Sequence, residues 1–533
     1  MKIYLFQTKP RVGDLNYNFT LIEKCYAKAL AKSADLCLFP ELATTGYYPE
    51  DLLLNPSFLK ELNDKIEALI LKVGSTIALI PTPLLEEGLL YNGVLAIRNG
   101  KVIGKTYKKH LPNYGIFDEK RYFTSGNPKI IQLDQIRIGL PICEDIWFPD
   151  VCQQLKNEGA EILLVTNASP YEKGKWEKRM EHIVSRYRET GLPIIYCNQV
   201  LGQDGIIYDG RSIVFDGELK HVLASFREDE RAIEFADGRI LGNKYNYEPV
   251  PIEDELYGAM VLGLRDYVTN NGAKSVVIGL SGGIDSALVT AIAADSLGAG
   301  NVKTVMLQSK YTSLESMEDA KSVAKMLGVS HENIPINHFF EIIKNSIPSI
   351  TDLAAENMQA RIRGLILMAI SNSTGSLLLT TGNKSEMATG YATLYGDMCG
   401  AFNPIKDLYK TEIYRIAKYR NTNLLASIDS MNKAVPIMPE RIMTKAPSAE
   451  LRENQKDSDS LPEYEILDKI LTYYIEHDFS AKEITKLGFD QQLVQKVIKL
   501  VKNSEFKRRQ AAPGIKLSTR SFEKERRYPI TCG

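Results

Sequence analysis

Nothing in this chain of 533 residues is apolar for long enough to span a bilayer, since no run approaches the roughly 18 residues that needs. Cysteine is sparse as well. The seven present are scattered and odd in number, which argues against a disulfide framework, and without a Cys-x-x-Cys pair nothing suggests zinc. An excess of one charge is missing too: the formal net charge is −1, so no global field invites nucleic acid or an acidic membrane surface. The opening Met-Lys-Ile-Tyr-Leu-Phe-Gln-Thr-Lys turns polar too soon for a signal-peptide core. No repeat or low-complexity tract appears. These absences lead us to expect a cytoplasmic protein with neither nucleic acid nor membrane as partner. What remains is ordinary globular composition, 44% hydrophobic and 25% charged, in a chain long enough for about two or three domains.

The first half alternates strand-like and helix-like segments. Strands are expected at 3–7, 36–39, 76–80, 93–98, 101–106, 136–142, 162–167, 194–198 and 212–215, with Asn99-Gly100 as a hairpin turn. Helices are expected at 17–34, 56–73, 151–157 and 175–190. Residues 237–252 are polar, aromatic and broken by two prolines, as a connector is. This places a boundary between a domain of residues 1–245 and one of 246–533. From Asp254 a new α/β pattern begins: helix 254–270, strand 275–280, helix 287–297, strand 302–307, helix 314–327. Parallel strands joined by helices predict a doubly wound sheet with its ligand at the strands' carboxyl ends.

Residues 278–286 read Ile-Gly-Leu-Ser-Gly-Gly-Ile-Asp-Ser, between a β-branched strand and a helix. The turn aims backbone N–H groups and a helix N-terminus at one spot, which suits a phosphate or pyrophosphate. No Lys follows the glycines, so this is not the kinase-type phosphate loop. It resembles the pyrophosphate loop of the N-type ATP pyrophosphatases, enzymes that join AMP to a substrate oxygen and release pyrophosphate.

In the first half, Cys143 lies in Leu-Pro-Ile-Cys-Glu-Asp at a strand end, Glu41 follows Leu-Cys-Leu-Phe-Pro, and Lys108 lies in Tyr-Lys-Lys-His-Leu-Pro-Asn-Tyr. A thiol attacking an amide needs a base for its proton and a cation for the oxyanion. These three segments resemble the nitrilase (carbon–nitrogen hydrolase) superfamily over residues 1 to 240. That resemblance implies a four-layer αββα sandwich with Glu41 as base, Lys108 as stabiliser and Cys143 as nucleophile. It further implies glutamine as substrate, bound by Tyr114, Glu144, Ser169 and Lys175. Cys25, Cys37, Cys152, Cys197, Cys399 and Cys532 have no such company and read as structural.

In the second half the pyrophosphate loop is followed by Glu-Asn-Met-Gln-Ala-Arg-Ile-Arg-Gly (356–364), Thr-Thr-Gly-Asn-Lys-Ser-Glu (380–386), Gly-Tyr-Ala-Thr-Leu-Tyr-Gly-Asp (390–397), Lys-Ala-Pro-Ser-Ala-Glu-Leu (445–451) and Phe-Lys-Arg-Arg-Gln (506–510). Their order resembles the NAD synthetase family, and the whole chain is similar to its glutamine-dependent members. The resemblance implies that Gly279, Leu280, Ser281, Gly282, Gly283, Ile284, Asp285, Ser286 and Thr381 bind ATP. By the same token Asn357, Glu386 and Lys507 contact deamido-NAD, with Arg361 a weaker candidate, and Asp285 and Glu386 hold Mg²⁺. It also implies an interdomain tunnel for ammonia, which glutamine or free ammonia would supply, and a homo-oligomer. Gln308 stands where the family pattern favours Pro, and Ala401 where it favours Gly; neither touches a chemical role. The basic stretch 507–509 is either a solvated tail or a cationic lid, and the family match favours the lid. Two rivals differ in visible ways. A tRNA-thiolating relative would want a paired reactive Cys in the second half, and a free-standing amidase would show a broken pyrophosphate loop.

Overall fold

Side chains alternate across a strand, and in the strand Lys2–Gln7 both sets are apolar. The computed structural model describes residues 1–347 and 349–531, and it shows what each set meets. Ile3 and Leu5 join Leu36, Leu38, Leu79 and Val94 from their own sheet, and Ile138, Ile162, Leu164 and Ile195 from a second one, in a core between two sheets. Tyr4 and Phe6 face the other way, onto Phe19 and Ile22 of helix Leu15–Ala31 and Leu62 and Ile66 of helix Pro56–Lys72. The second sheet repeats the pattern. Leu163, Val165 and Ile194 pack on Val151 and Leu155 of helix Pro149–Asn157 and on Ile183 of helix Lys175–Thr190. Strands buried on both faces read as nearly continuous apolar runs, and the outcome is helix, sheet, sheet, helix. The sheets have seven and six strands.

Several features of this unit depart from the expectation. The strand expected at 76–80 runs as Ile77–Glu86 through Pro81 and Pro83. Its parallel neighbour Leu36–Leu38 pairs only as far as Leu79, so the prolines lie where one edge is unpaired and no ladder donor is missed. A strand at Asp229–Ala236 pairs antiparallel with Lys2–Gln7; its outward charges hide a weak alternation. Asn99 and Gly100 have φ of 49° and 71°, as a type I′ turn requires. Helix Leu15–Ala31 starts ahead of the expected Tyr17 because the Asp14 carboxylate accepts the Tyr17 N–H and caps it.

The chain separates into two units, Met1–Leu201 with Tyr208–Pro249, and Gly202–Ile207 with the chain from Val250 onward. The second unit holds a four-stranded sheet in the order Ser330–Asn333, Val302–Met306, Val276–Gly279, Leu377–Leu379, with every pairing parallel. Val277, Val305 and Leu378 pack on Phe340, Met358 and Ile362 from helices Asn337–Ser346 and Asp352–Thr374. Helix Ile284–Leu297, buried at every residue but Asp285, lies against strand and helix neighbours alike. A separate cluster joins helices Tyr464–Ile475, Ala481–Lys486 and Gln491–Asn503. No helix among the described residues is long and apolar enough to cross a membrane.

Candidate active sites

In the first unit, Glu41 and Lys108 each follow a strand and are fully buried. The Lys108 ammonium donates to Glu41 Oε1 at 2.7 Å and to Glu119 Oε1 at 2.7 Å. Burial alone would drive that amine towards neutrality, but Glu119 and Glu41 outweigh it and hold its pKa well above the ordinary range. Glu41 is further fixed by Asn92 Nδ2 at 2.8 Å and by the Ala168 N–H at 3.1 Å. Cys143 opens a tight helical turn, Cys143–Trp147, with φ of 45° and the side chain buried. Non-glycine residues rarely hold such a backbone, and such positions cluster at functional sites. Burial, reinforced by the Glu41 carboxylate and opposed by Lys108, raises the thiol's pKa well above normal.

Glu119 was not foreseen. It sits in Phe-Asp-Glu-Lys-Arg, a string that reads as solvated surface, yet it is fully buried and accepts the Tyr47 hydroxyl at 2.6 Å. Burial pushes its pKa up to about 7, against the pull of Lys108. Around this group stand the expected glutamine ligands. Tyr114 donates to Glu144 Oε1 at 2.9 Å, and Glu144 is itself raised by burial. Ser169 is buried; its N–H donates to Asn198 Oδ1 at 2.9 Å and its Oγ accepts Arg179 Nε at 3.1 Å. Lys175 begins helix Lys175–Thr190, 3.8 Å from Glu172 and 4.7 Å over the Trp147 ring.

In the second unit, the loop after Val276–Gly279 and its helix line a cleft of about 310 Å³. All eight expected loop residues, Gly279 to Ser286, line it, together with Thr381 and Glu386. Gly282 has φ of +81°, and a Cβ there would lie 2.2 Å from Ser316 O, so only glycine fits. Ser286 Oγ accepts the Ser281 N–H at 3.2 Å and draws the turn closed. No side chain caps helix Ile284–Leu297, which leaves its first N–H groups facing the loop, as anion binding requires.

Asp285 and Glu386 share this cleft with Lys410, which the sequence reading did not single out. Lys410 Nζ pairs with Asp285 Oδ2 and lies 3.9 Å from Glu386 Oε1. Burial and the Asp285 charge raise Glu386 to about 8, a sign of surplus negative charge. No trio of His, Cys, Asp or Glu among the described residues is close enough to hold a metal alone. Mg²⁺ commonly takes one or two carboxylates and completes its shell with phosphates and water, so this donor set fits it.

Asn357 and Lys507 do not line the cleft. They hold a segment that does: Thr393 donates to Asn357 Oδ1 at 2.8 Å, and Lys507 Nζ donates to Gly390 O and Ala392 O at 2.8 and 2.7 Å. Arg361 donates to Leu394 O at 3.2 Å. Arg508 and Arg509 both pair with Glu505, at 2.7 and 3.1 Å, so of the basic stretch only Lys507 reaches this segment. Arg363 lines the cleft and donates to Leu307 O at 3.0 Å; burial lowers its pKa to about 10. Of the cysteines read as structural, Cys37, Cys152 and Cys197 are buried and Cys25 half-buried. Cys399 lines the cleft, and Cys532 lies outside the described residues.

A family model described as carbon–nitrogen hydrolase matches residues 2–237, and one described as NAD synthase matches residues 256–511. The glutamine-dependent NAD(+) synthetase of Rhodobacter capsulatus is 44% identical, with 99% of this chain and 98% of that protein aligned. The enzyme of the same name from Acinetobacter baylyi is 43% identical over 100% and 98%. Among solved structures, the glutamine-dependent NAD+ synthetase from Acinetobacter baumannii, in complex with ADP, matches with a TM-score of 0.79 and 40% identity, covering 99% of this chain and 98% of that one.

Proposed function

Because the chain belongs to the glutamine-dependent NAD(+) synthetases, we propose that its two sites divide that reaction between them. Residues 1–245 release ammonia from glutamine, and residues 246–533 spend ATP to place it on deamido-NAD. The observation that carries this reading is the coexistence, in one chain, of a buried Glu41–Lys108–Cys143 group and an intact Ser-Gly-Gly-Ile-Asp-Ser loop lining a cleft.

At the first site the Cys143 sulfur attacks the side-chain amide carbon of glutamine while Glu41 takes the thiol proton. Lys108, fixed by two carboxylates, offers an N–H to the oxyanion. Glu41 returns the proton to the departing ammonia and leaves a glutamyl thioester. Water, deprotonated by Glu41, then releases glutamate and restores the thiol. Tyr114, Glu144, Ser169 and Lys175 would hold the substrate's charged end. Glu119 keeps Lys108 charged and in place.

At the second site the nicotinate carboxylate of deamido-NAD attacks the α-phosphorus of ATP, and pyrophosphate leaves onto the loop N–H groups. The mixed anhydride is then open to ammonia, which displaces AMP and gives NAD. Asp285 and Glu386 would hold Mg²⁺, which neutralises phosphate charge when bound. Thr381 lines the cleft and would contact ATP; Asn357 and Lys507 shape the 390–393 segment against which deamido-NAD would lie. A cytoplasmic homo-oligomer is the setting we propose.

The test is an assay of purified protein with deamido-NAD, ATP, Mg²⁺ and glutamine that follows NAD, AMP and pyrophosphate together. Stoichiometric AMP is expected. ADP in its place would overturn the adenylylation reading.

A further inference from the structure

The chain has two tryptophans, and each is stacked with an aromatic ring and a cation in the first unit. Trp147 closes the turn that carries Cys143 and Glu144. Its ring lies 4.1 Å from His182 and beneath the Lys175 ammonium at 4.7 Å. Trp176, the next residue along the helix from Lys175, lies 4.6 Å from the Tyr247 ring, with the buried Arg211 guanidinium 5.9 Å from its own. Tyr247 comes from the connector, the stretch by which the first unit's chain leaves it. That stretch is seated a second time by Tyr245, whose N–H donates to Leu219 O at 2.8 Å and whose ring meets His221 at 4.8 Å.

The start of helix Lys175–Thr190 is held by several bonds: the Lys175 N–H donates to Glu172 O at 3.0 Å, Lys178 donates to the Glu172 carboxylate at 3.2 Å, and the buried Arg179 donates to Asp209 at 2.8 Å and to Ser169 O at 2.7 Å. Gly174 precedes it with φ of 77°, no side chain caps it, and nothing lies within 4 Å of where a Cβ on Gly174 would be. A glycine turn of that kind leaves the direction of the next residue loosely set. Lys175 nevertheless is only 13% exposed and is aimed across Trp147. The packing of its neighbour Trp176 adds to these restraints, and one side of that packing is Tyr247.

We infer that Tyr247 is a positioning residue for the glutamine site: by stacking on Trp176, the residue next to Lys175, it helps to fix the first helical turn and so to aim Lys175 at the substrate. The inference rests on the reading of Lys175 as a glutamine ligand. It assigns part of the glutamine affinity to a residue of the connector, far along the chain from the catalytic group.

The experiment compares Tyr247→Ala, Tyr247→Phe and Lys175→Met in the full-length protein, by steady-state kinetics with glutamine and with ammonium, and by intrinsic tryptophan emission. An aromatic pair of this kind supports a rise in KM for glutamine of about two- to tenfold in Tyr247→Ala, with kcat within about twofold and ammonium-dependent synthesis unchanged. Emission should change in Tyr247→Ala, and Tyr247→Phe, which keeps the ring, should restore both emission and KM. Altered emission with an unchanged KM for glutamine would overturn the inference and leave the stacking as a structural brace. So would an equal loss with ammonium, which would mark general destabilisation. Should Lys175→Met itself leave the KM for glutamine unchanged, it is the assignment of Lys175 that falls.

Discussion

Glu119→Gln separates what the buried carboxylates do for stability from what they do for chemistry. In the wild-type fold the Glu119 pKa rises from 4.5 to about 7 because burial outweighs the attraction of Lys108. The folded state then binds this proton more tightly than the unfolded state does. Stability from it is complete below the unfolded value and is lost as pH climbs through the folded one. At about 1.4 kcal/mol per tenfold change in proton affinity, that loss is on the order of a few kcal/mol and falls between pH 5 and pH 8. Glutamine cannot ionise in either state. Its Oε1 can still accept from Tyr47 and Lys108, while its Nε2 replaces Oε2, which has no hydrogen-bond partner, at a pH-independent cost of about 1–3 kcal/mol. The variant should therefore trail the wild type at pH 5 by on the order of a few kcal/mol more than it does at pH 8. Denaturant unfolding followed by tryptophan emission isolates this unit, since both tryptophans, Trp147 and Trp176, lie in it. With only Glu41 left to share, Lys108 should also dampen that base, so glutamine-dependent turnover should fall by about 10- to 100-fold with ammonium-dependent synthesis intact. A stability difference that stays level from pH 5 to pH 8 would refute the argument.

Three further substitutions test the division of labour. Cys143→Ala should abolish glutamine-dependent NAD formation, by about 10³-fold or more, while ammonium salts still support it; survival with glutamine would remove the nucleophile assignment. Asp285→Asn should depress synthesis with either nitrogen source by about 10²-fold or more and leave glutamine hydrolysis measurable, and near-normal ammonium-dependent synthesis would sink its phosphate-side role. Lys507→Ala removes two hydrogen bonds to the 390–392 backbone, so the KM for deamido-NAD should rise by about tenfold with glutaminase turnover unchanged, as measured by varying each substrate in turn.

Elements whose two faces tell the same story were legible in the sequence. Ile162–Asn167 is buried at all six residues, and a short apolar run between turn residues announces such a strand. Asp229–Ala236 was not legible: its half-buried Glu230 and exposed Arg231 and Glu234 stand among too few apolar residues, and pairing with Lys2–Gln7 and Arg239–Ile240 makes it a strand. The long helix Asp352–Thr374 carries a hydrophobic stripe, but its Arg361 and Arg363 drew attention as a motif and its full extent went unread. Turn chemistry was read well where dihedral demands are strict, as at Asn99-Gly100 and Gly282.

The residues that sequence reasoning missed share one physical property: each is a charge whose burial is decided by partners far along the chain. Lys410 lies in Leu-Tyr-Lys-Thr-Glu, which reads as the exposed start of a helix, yet Asp285 and Glu386, 125 and 24 positions away, make its burial tolerable. Glu119 is in the same position with respect to Lys108 and Tyr47. Charge pattern along the chain predicts solvation only where no opposite charge is brought in by the fold, because an unpaired buried ion costs several kcal/mol and a paired one much less. The basic stretch 507–509 shows the same limit from the other side. The family resemblance favoured a lid; in the fold Glu505 pairs with Arg508 and Arg509, Arg508 also donates to Ala388 O at 2.8 Å, and the buried Arg526 stacks on Tyr528 at 3.7 Å. One cation of the three, Lys507, is left to hold the segment that borders the cleft. Local motifs thus point to the groups proposed to meet substrate, while the buried charges that pair with them become visible only when long-range pairing is known.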